Sequence, residues 1–308
     1  MSPRILTLTL NPALDMACET ERVVPDHKLR TFNETHDPGG GGVNVARVLN
    51  ELGADTLAVM LAGGVTGRFL VELIGQAGIP CRAIAIAGTT RISTTVHDRA
   101  ADREYRFVPE GPVVSGAELA AALDCLDAET GDWLVLSGSL PRGLAPDTYA
   151  HIAAREAARG RHVVLDTSGP ALRAALGTGL ALIKPSLAEF EQLLGRPLPD
   201  ATAQDEAALA LVRNGAAARV AVSLGAGGAL LATAEGVVRA AALPVTVRGT
   251  VGAGDSFLAA MTCALARGDG AREVLAWGLA AGAAAVMLTG TAHPRRADIE
   301  ALFRQAIG

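Results

Sequence analysis

Lysine is nearly missing from this sequence: of 27 basic residues only Lys28 and Lys184 are not arginine. Aromatic residues are scarce as well, at 3%, so the core must be built from aliphatic and small side chains. The four cysteines, Cys18, Cys81, Cys125 and Cys263, stand far apart with no CxxC pair. That spacing excludes a zinc cluster and a disulfide framework, and leaves reduced thiols in a cytoplasm as the expectation. Neither GxxxxGK[ST] nor GxGxxG occurs, which disfavours a P-loop nucleotidase and a Rossmann dehydrogenase. A net charge of −5 provides no broad basic field for nucleic acid or an anionic membrane. The uncharged run from Val274 to Leu288 is rich in small residues and shorter than the roughly 20 apolar residues a span requires, so it reads as a buried helix. The opening MSPRILTLTLNP lacks the basic-then-apolar order of a secretory signal, and export is not expected.

What the chain does contain is a regular alternation. Strand-like runs recur at Ile5–Leu10, Thr56–Ala62, Trp133–Ser137, His162–Asp166, Leu180–Lys184 and Arg219–Leu224. Helical spacing fills the gaps, as at Val45, Val48, Leu49 and Leu52 before Gly53, and at Phe69, Leu70, Leu73 and Ile74 before Gly78. Strand and helix in turn predict a mostly parallel sheet covered on both faces. Two stretches break the rhythm, 11–38 and 89–109, and the second reads as two strands joined by a polar turn. Together they would form a small sheet over the carboxyl ends of the parallel strands, where α/β sheets bind ligands. The expected organisation is therefore a main α/β domain from 1–10, 39–88 and 110–308, with a β lid from 11–38 and 89–109.

Three glycine-rich turns could receive phosphate at helix starts: Gly39–Gly42, Gly225–Gly228 and Gly252–Gly254. Each taken alone is equally well a simple turn. Asp255 follows the last of them at the head of an apolar helical stretch, and is either a helix cap or a working carboxylate beside a bound phosphate. The two lysines, in a chain that otherwise uses arginine, suggest places that need a compact charge. Lys28, Arg30, Arg91, Arg103 and Arg106 gather cations in the lid stretches, as an anionic small substrate would require. Arg99 and Arg103 sit among acids and read as solvated edge-strand charge. Ser186 and Glu189 fit a capping box, with water-mediated Mg²⁺ binding by Glu189 as the functional alternative.

PGGGGVNVARVLNELG (38–53) and TVGAGDSF (250–257) resemble the two signatures of the PfkB-type, ribokinase-like carbohydrate kinases, and LTLNPALD, DHKLR, SGSLPRG, IKPSLAEF and SLGAGGAL fall in that family's order. The resemblance spans the whole chain. It implies a ribokinase-like three-layer α/β/α fold, ATP as co-substrate, Mg²⁺ and a monovalent cation such as K⁺. The four glycines before VNVAR and the YRFVPEG stretch resemble the bacterial minor 6-phosphofructokinases, which implies phosphoryl transfer to the 1-hydroxyl of fructose 6-phosphate. Kinases of tagatose 6-phosphate or fructose 1-phosphate are the alternatives within the family, and a non-catalytic sugar-phosphate-binding regulator is the alternative outside it.

The same resemblance assigns roles. Asp255 would be the base, with Gly252, Ala253 and Gly254 forming the anion hole, and the helix dipole keeping Asp255 ionised. Asp15, Gly40, Gly41, Gly42 and Asn44 would meet sugar hydroxyls, with Lys28, Arg91, Ser93, Arg106 and Ser139 around the sugar and its phosphate. Lys184, Ser186, Ser223, Gly225, Gly227 and Gly228 would lie along ATP. Glu189 would hold Mg²⁺ through water, and Gly249, Val251, Ala285 and Gly290 would offer carbonyls to K⁺. The lid would pair into a homodimer clasp. Ser186 departs from the family's asparagine at that place, which points to altered metal or ATP affinity.

Overall fold

The computed structural model describes residues 3–290 and 292–307. Its main sheet contains β1 (Ile5–Thr9), β4 (Thr56–Ala62), β5 (Cys81–Ala85), β8 (Trp133–Ser137), β9 (His162–Asp166), β10 (Leu180–Ile183), β11 (Val220–Ser223), β12 (Ala229–Thr233) and β13 (Gly236–Ala240). The spatial order is β13-β12-β11-β10-β9-β8-β1-β4-β5. From β5 to β11 every pairing is parallel, and β12 and β13 close one edge as antiparallel strands.

Helices cover both faces, and the alternation of side chains along each strand decides which core each residue joins. Leu6 and Leu8 of β1 and Leu134 and Leu136 of β8 pack beneath α3 (Gly116–Ala128), α4 (Thr148–Ala158), α5 (Gly169–Ala175), α6 (Leu187–Leu194) and α7 (Ala201–Arg213). Ile5, Val135 and Val164 point the other way, toward α1 (Gly41–Glu51), α8 (Ala253–Arg267), α9 (Ala271–Val286) and α10 (Arg296–Ile307). The remaining helix, α2 (Gly64–Gln76), joins α1 over β4 through Val43, Met60 and Leu70. Strands buried on both faces explain the continuous apolar runs that stood out in the sequence. The uncharged run ends up in α9, wedged between α8 and α10, where a Cβ at Gly278 would lie 2.7 Å from the Met261 side chain. No described helix is long and apolar enough to cross a membrane.

The smaller sheet, in the order β3-β2-β6-β7, consists of β2 (Ala13–Thr20), β3 (Phe32–Gly39), β6 (Arg91–Asp98) and β7 (Arg103–Phe107). Its two middle strands run parallel and its edges antiparallel. The chain enters this sheet directly after β1 and again after β5, so the sheet stands over the carboxyl ends of the parallel strands. His36 on β3 packs against Phe69 of α2, with ring centroids 5.7 Å apart.

All six strand-like runs appear, each trimmed by at most one residue per end. Three strands went unread: β5, whose CRAIA is short, alanine-rich and partly exposed, and the β12–β13 hairpin. β5 and β13 are edge strands with little burial and a weak pattern, whereas β12, fully buried between β11 and β13, is a short Ala/Leu run that reads equally as helix.

Candidate active site

The turn before α8 lies at the centre of the site. Gly252 takes the left-handed region at φ 72°, and α8 starts at the next residue, so N–H groups of its first turn lack intrahelical partners, although Ala253 N makes a long bond to Thr250 O at 3.5 Å. Asp255 sits in that first turn, and its Oδ2 accepts a hydrogen bond of 2.9 Å from Asn44 Nδ2, 211 residues away in sequence. Burial pushes the Asp255 carboxyl up to about 7, and the Asp166 carboxylate adds to the rise against the Asn44 bond and the Lys184 charge. The expectation that the helix dipole keeps this acid fully ionised is thus corrected: loss of water and a second carboxylate outweigh the dipole. A carboxyl poised near neutrality suits proton exchange with an alcohol.

Two clefts meet at this turn. One, of about 300 Å³, is lined by Asp15, Gly40, Gly41, Asn44, Arg91, Ser93, Arg106, Ser139, Asp166, Glu189, Gly252 and Asp255. The other, of about 580 Å³, is apolar, with Pro244, Val245, Val247, Phe257, Leu279 and Val286 as walls and Ser223, Gly225, Gly228, Thr250, Ala253 and Gly254 at its polar end. Gly252 and Asp255 belong to the first cleft, Ala253 and Gly254 to the second. One helical turn therefore touches both.

In the polar cleft Arg91 is held by backbone, donating to Pro109 O at 2.8 Å and Asn11 O at 2.9 Å. Burial raises Asp15 to about 6 despite the opposing charges of Arg106, Arg47 and Arg91. Gly40 has φ 103°, a conformation that side chains resist, and a Cβ on Gly41 would come within 2.3 Å of Ser137 Oγ. Gly42 does not line the cleft; a Cβ there would lie 2.4 Å from Thr9 Oγ1, so its smallness lets α1 pack on β1.

Lys28 is not brought to the site: it is exposed in the loop between β2 and β3 and lines neither cleft. Arg99 pairs with Glu19 and Glu21, in keeping with its reading as solvated charge, and Arg103 is exposed opposite Asp98. Lys184 lies by the 252–255 turn and does not line the apolar cleft. Its Nζ is 3.2 Å from Asp166 Oδ2 and only 3.4 Å from where a Gly254 Cβ would be. Burial works against its charge, but Asp166 and Asp255 prevail and hold the ammonium above its usual pKa.

Ser186 and Glu189 form the capping box of α6, Glu189 Oε2 accepting from Ser186 N and Oγ at 2.8 Å each. Glu189 still borders the polar cleft, across from Asp166. Gly227 belongs to the short 3₁₀ turn Gly225–Gly227 and does not line the apolar cleft. Gly249 lies against the 285–290 segment, where Leu288 N already donates to Ala285 O at 3.1 Å. No group of three or more His, Cys, Asp and Glu among the described residues makes a ready metal cage. Asp166 and Glu189 fit a divalent ion shared with a phosphate chain, since Mg²⁺ takes one or two carboxylates and fills its remaining positions with phosphate and water.

Asp166, Thr167 and Ser168 line the polar cleft and were missed, as were Arg47 and His293 of the small cavity beside it. Asp166 had a signal: a lone acid closing an apolar strand at its carboxyl end.

Residues 10–298 match the family described as pfkB family carbohydrate kinase. The chain belongs to that family. It is 42% identical over 306 residues to ATP-dependent 6-phosphofructokinase isozyme 2 of Mycobacterium tuberculosis, covering 99% of this chain and 90% of the relative. The isozyme 2 of Escherichia coli is 38% identical over 302 residues, 97% and 98% of the two chains. Phosphofructokinase-2 from Escherichia coli, solved in complex with fructose-6-phosphate, superimposes with a TM-score of 0.94 at 36% identity, over 99% of this chain and all of that one. The pfkB kinase fold of this chain thus extends over the lid as well as the main sheet.

Proposed function

We propose that this pfkB kinase is an ATP-dependent 6-phosphofructokinase that moves the γ-phosphoryl group of ATP to the 1-hydroxyl of fructose 6-phosphate. The observation that carries the reading is the turn 252–255, set between an arginine-lined polar cleft and an apolar cleft of nucleotide size. The full-length likeness to 6-phosphofructokinases supports the choice of sugar phosphate.

Asp15, Asn44 and Ser139 orient the sugar hydroxyls, and Arg91 and Arg106 face its phosphate. Asp255 takes the proton of the attacking hydroxyl as the oxygen begins to bond phosphorus. The N–H groups of Gly252, Ala253 and Gly254, with Lys184 beneath them, receive the negative charge that gathers on the transferred group. Excluding water from the clefts strengthens these interactions when both substrates are in place. Asp166 and Glu189 would hold Mg²⁺, which when bound would supply charge neutralisation on the phosphates. Because Ser186 is committed to the α6 cap, the metal contact would fall to those two carboxylates. Carbonyls of Gly249, Val251, Ala285 and Gly290 would take K⁺. The enzyme is cytoplasmic, in keeping with its four free thiols.

The small sheet of residues 11–38 and 89–109 acts as a lid and as the clasp of a homodimer. β7 is exposed along its whole length, with Phe107 59% accessible, and so offers a surface to a second lid. Lys28, far from its own clefts, would then reach the partner's sugar phosphate. Lys28→Arg is expected to raise KM for the sugar phosphate severalfold with kcat nearly kept, because the planar fork does not reproduce a point contact. Unchanged kinetics would remove Lys28 from the site.

Product identification across fructose 6-phosphate, tagatose 6-phosphate, fructose 1-phosphate and neutral sugars tests the assignment. The highest kcat/KM is expected for fructose 6-phosphate with fructose 1,6-bisphosphate as product. A better sugar phosphate would overturn the specificity and keep the kinase; no turnover of any sugar would overturn both.

A further inference from the structure

Behind the sugar cleft lies a buried arginine that the proposed chemistry does not use. Arg47 is on α1, one turn beyond Asn44, and its side chain is only 5% exposed. At that spacing both side chains share one helix face. Asn44 reaches forward to Asp255, and Arg47 reaches back into the lid.

Among the described residues its guanidinium meets three neighbours. Nη1 donates to Pro38 O at 3.1 Å, Nη2 meets Asp37 Oδ1 at 3.1 Å, and Nη2 donates to His293 Nδ1 at 3.2 Å. Asp37 and Pro38 stand at the end of β3, an edge strand of the lid, just before the glycine run. Asp37 is the direct cross-strand partner of Asp15, so two carboxylates stand side by side where β2 meets β3. Like charges so placed repel one another unless a cation intervenes. Just beyond them, a Cβ on Gly39 would fall 2.1 Å from Asp15 Oδ2, so the Asp15 carboxylate lies flat on that backbone. Arg47 and Asp15 also border the same small cavity, with Asn44, Gly252 and His293.

We propose that Arg47 is a positioning residue of the sugar site: it anchors the Asp37–Pro38 end of β3 to α1 and thereby sets the direction and the charge of the Asp15 carboxylate. The inference rests on the sugar-phosphate kinase reading. The groups facing Asp15 are Arg106 from β7, Arg91 from β6, Arg47 from α1, Asp37 from β3 and Asp255 from α8. Of the three cations, Arg106 and Arg91 line the cleft and would be engaged by the substrate's phosphate, whereas Arg47 lies behind it. Arg47 is therefore the cation that still answers Asp15 when substrate is bound. It favours the ionised form of Asp15, which accepts hydrogen bonds from sugar hydroxyls. Three acceptors in separate directions call for a guanidinium; the single nitrogen of a lysine keeps the charge and loses the fork.

Arg47→Met, Arg47→Lys and Asp37→Asn test this against the active wild-type enzyme. KM for the sugar phosphate should rise roughly tenfold or more in Arg47→Met, with KM for ATP changed less than about twofold, because the lost interaction bears on one substrate only. Removing a cation raises the pKa of a nearby carboxyl, so the lower step of the acidic limb of kcat/KM for the sugar, that of Asp15 at about 6 and below the Asp255 step, should also move to higher pH in Arg47→Met. In Arg47→Lys that limb should return toward the wild type while KM stays raised, the charge being restored without the fork. If Arg47→Met does not fold, Arg47→Lys and Asp37→Asn carry the test through the sugar KM alone. Both Michaelis constants moving together, or a folded set of variants with sugar KM and acidic limb unmoved, would overturn the inference and leave Arg47 a structural ion pair. A wild-type chain without sugar kinase activity would overturn the functional reading first and this inference with it.

Discussion

Asp255→Asn should lower kcat by roughly 10²–10⁴ while the dissociation constants of sugar phosphate and ATP stay within a few-fold, the range expected when a positioned general base is removed. Asparagine keeps the size of the side chain and the contact with Asn44, but cannot take a proton. A kcat within about threefold of wild type would reduce Asp255 to a first-turn acid that complements the dipole of α8. The wild-type pH profile is a second check. With the carboxyl near 7, kcat/KM should rise through that pH as the base form accumulates.

Stability should respond with the opposite slope. The folded chain holds the Asp255 proton between the ordinary carboxylate value of 3.8 and about 7, where the unfolded chain has released it. The group's contribution is therefore fully present below about 4 and is lost as pH rises through about 7. Asp255→Asn abolishes this loss. The variant should be more stable than wild type at pH 8 by about 1–2 kcal/mol, allowing for the solvent that reaches the carboxyl. Denaturant melts at pH 5 and pH 8 give the comparison, and an Asn variant that is no more stable at either pH would show that the carboxylate is not strained.

Lys184→Met is expected to have the second large effect. Lys184 is 6% exposed and its ammonium stands between Asp166, at 3.2 Å, and the helix start that carries Asp255. Methionine fills the space and leaves two acids facing one another without a cation. Breaking a buried pair from one side costs about 3–5 kcal/mol, which chemical denaturation would register. Because Lys184 pulls the Asp255 pKa down, its removal should also shift the acidic limb of kcat/KM above 7 and lower kcat. If stability falls by less than about 1 kcal/mol and the limb stays in place, the lysine is not the counter-charge of this site. Replacement by arginine should fare little better, since a planar fork is bulkier than the buried ammonium it would replace beside Asp166.

Much of this architecture is written in local patterns. The runs ILTLT, TLAVMLA and WLVLS could only be strands buried on both faces, and each is completely covered in the sheet. The glycines of the 252–254 turn and the acid after them mark a helix start with spare N–H groups, and that is where α8 begins. Family resemblance added roles that no spacing could supply. Where the sequence fell short, the cause was distance along the chain. β12 and β13 carry no decisive local pattern: β13 is an edge strand, and β12 is alanine- and leucine-rich and becomes a strand only by pairing between β11 and β13. Ser186 and Glu189 left two readings open until the capping geometry settled the local bonding.

By itself, then, the sequence determined the fold class and the glycine turn that opens α8, because those depend on residues within a few positions of one another, while the residues named for the polar cleft came from the family resemblance. Tertiary structure decided the rest. It put Asp166 and Lys184 beneath a helix start some 70 to 90 residues downstream, set Asn44 against Asp255, joined Arg47 to the lid, and left Lys28 outside both clefts. A carboxyl's proton affinity is set by the water it has lost and the charges around it, and those neighbours come from strands and helices that only folding brings together.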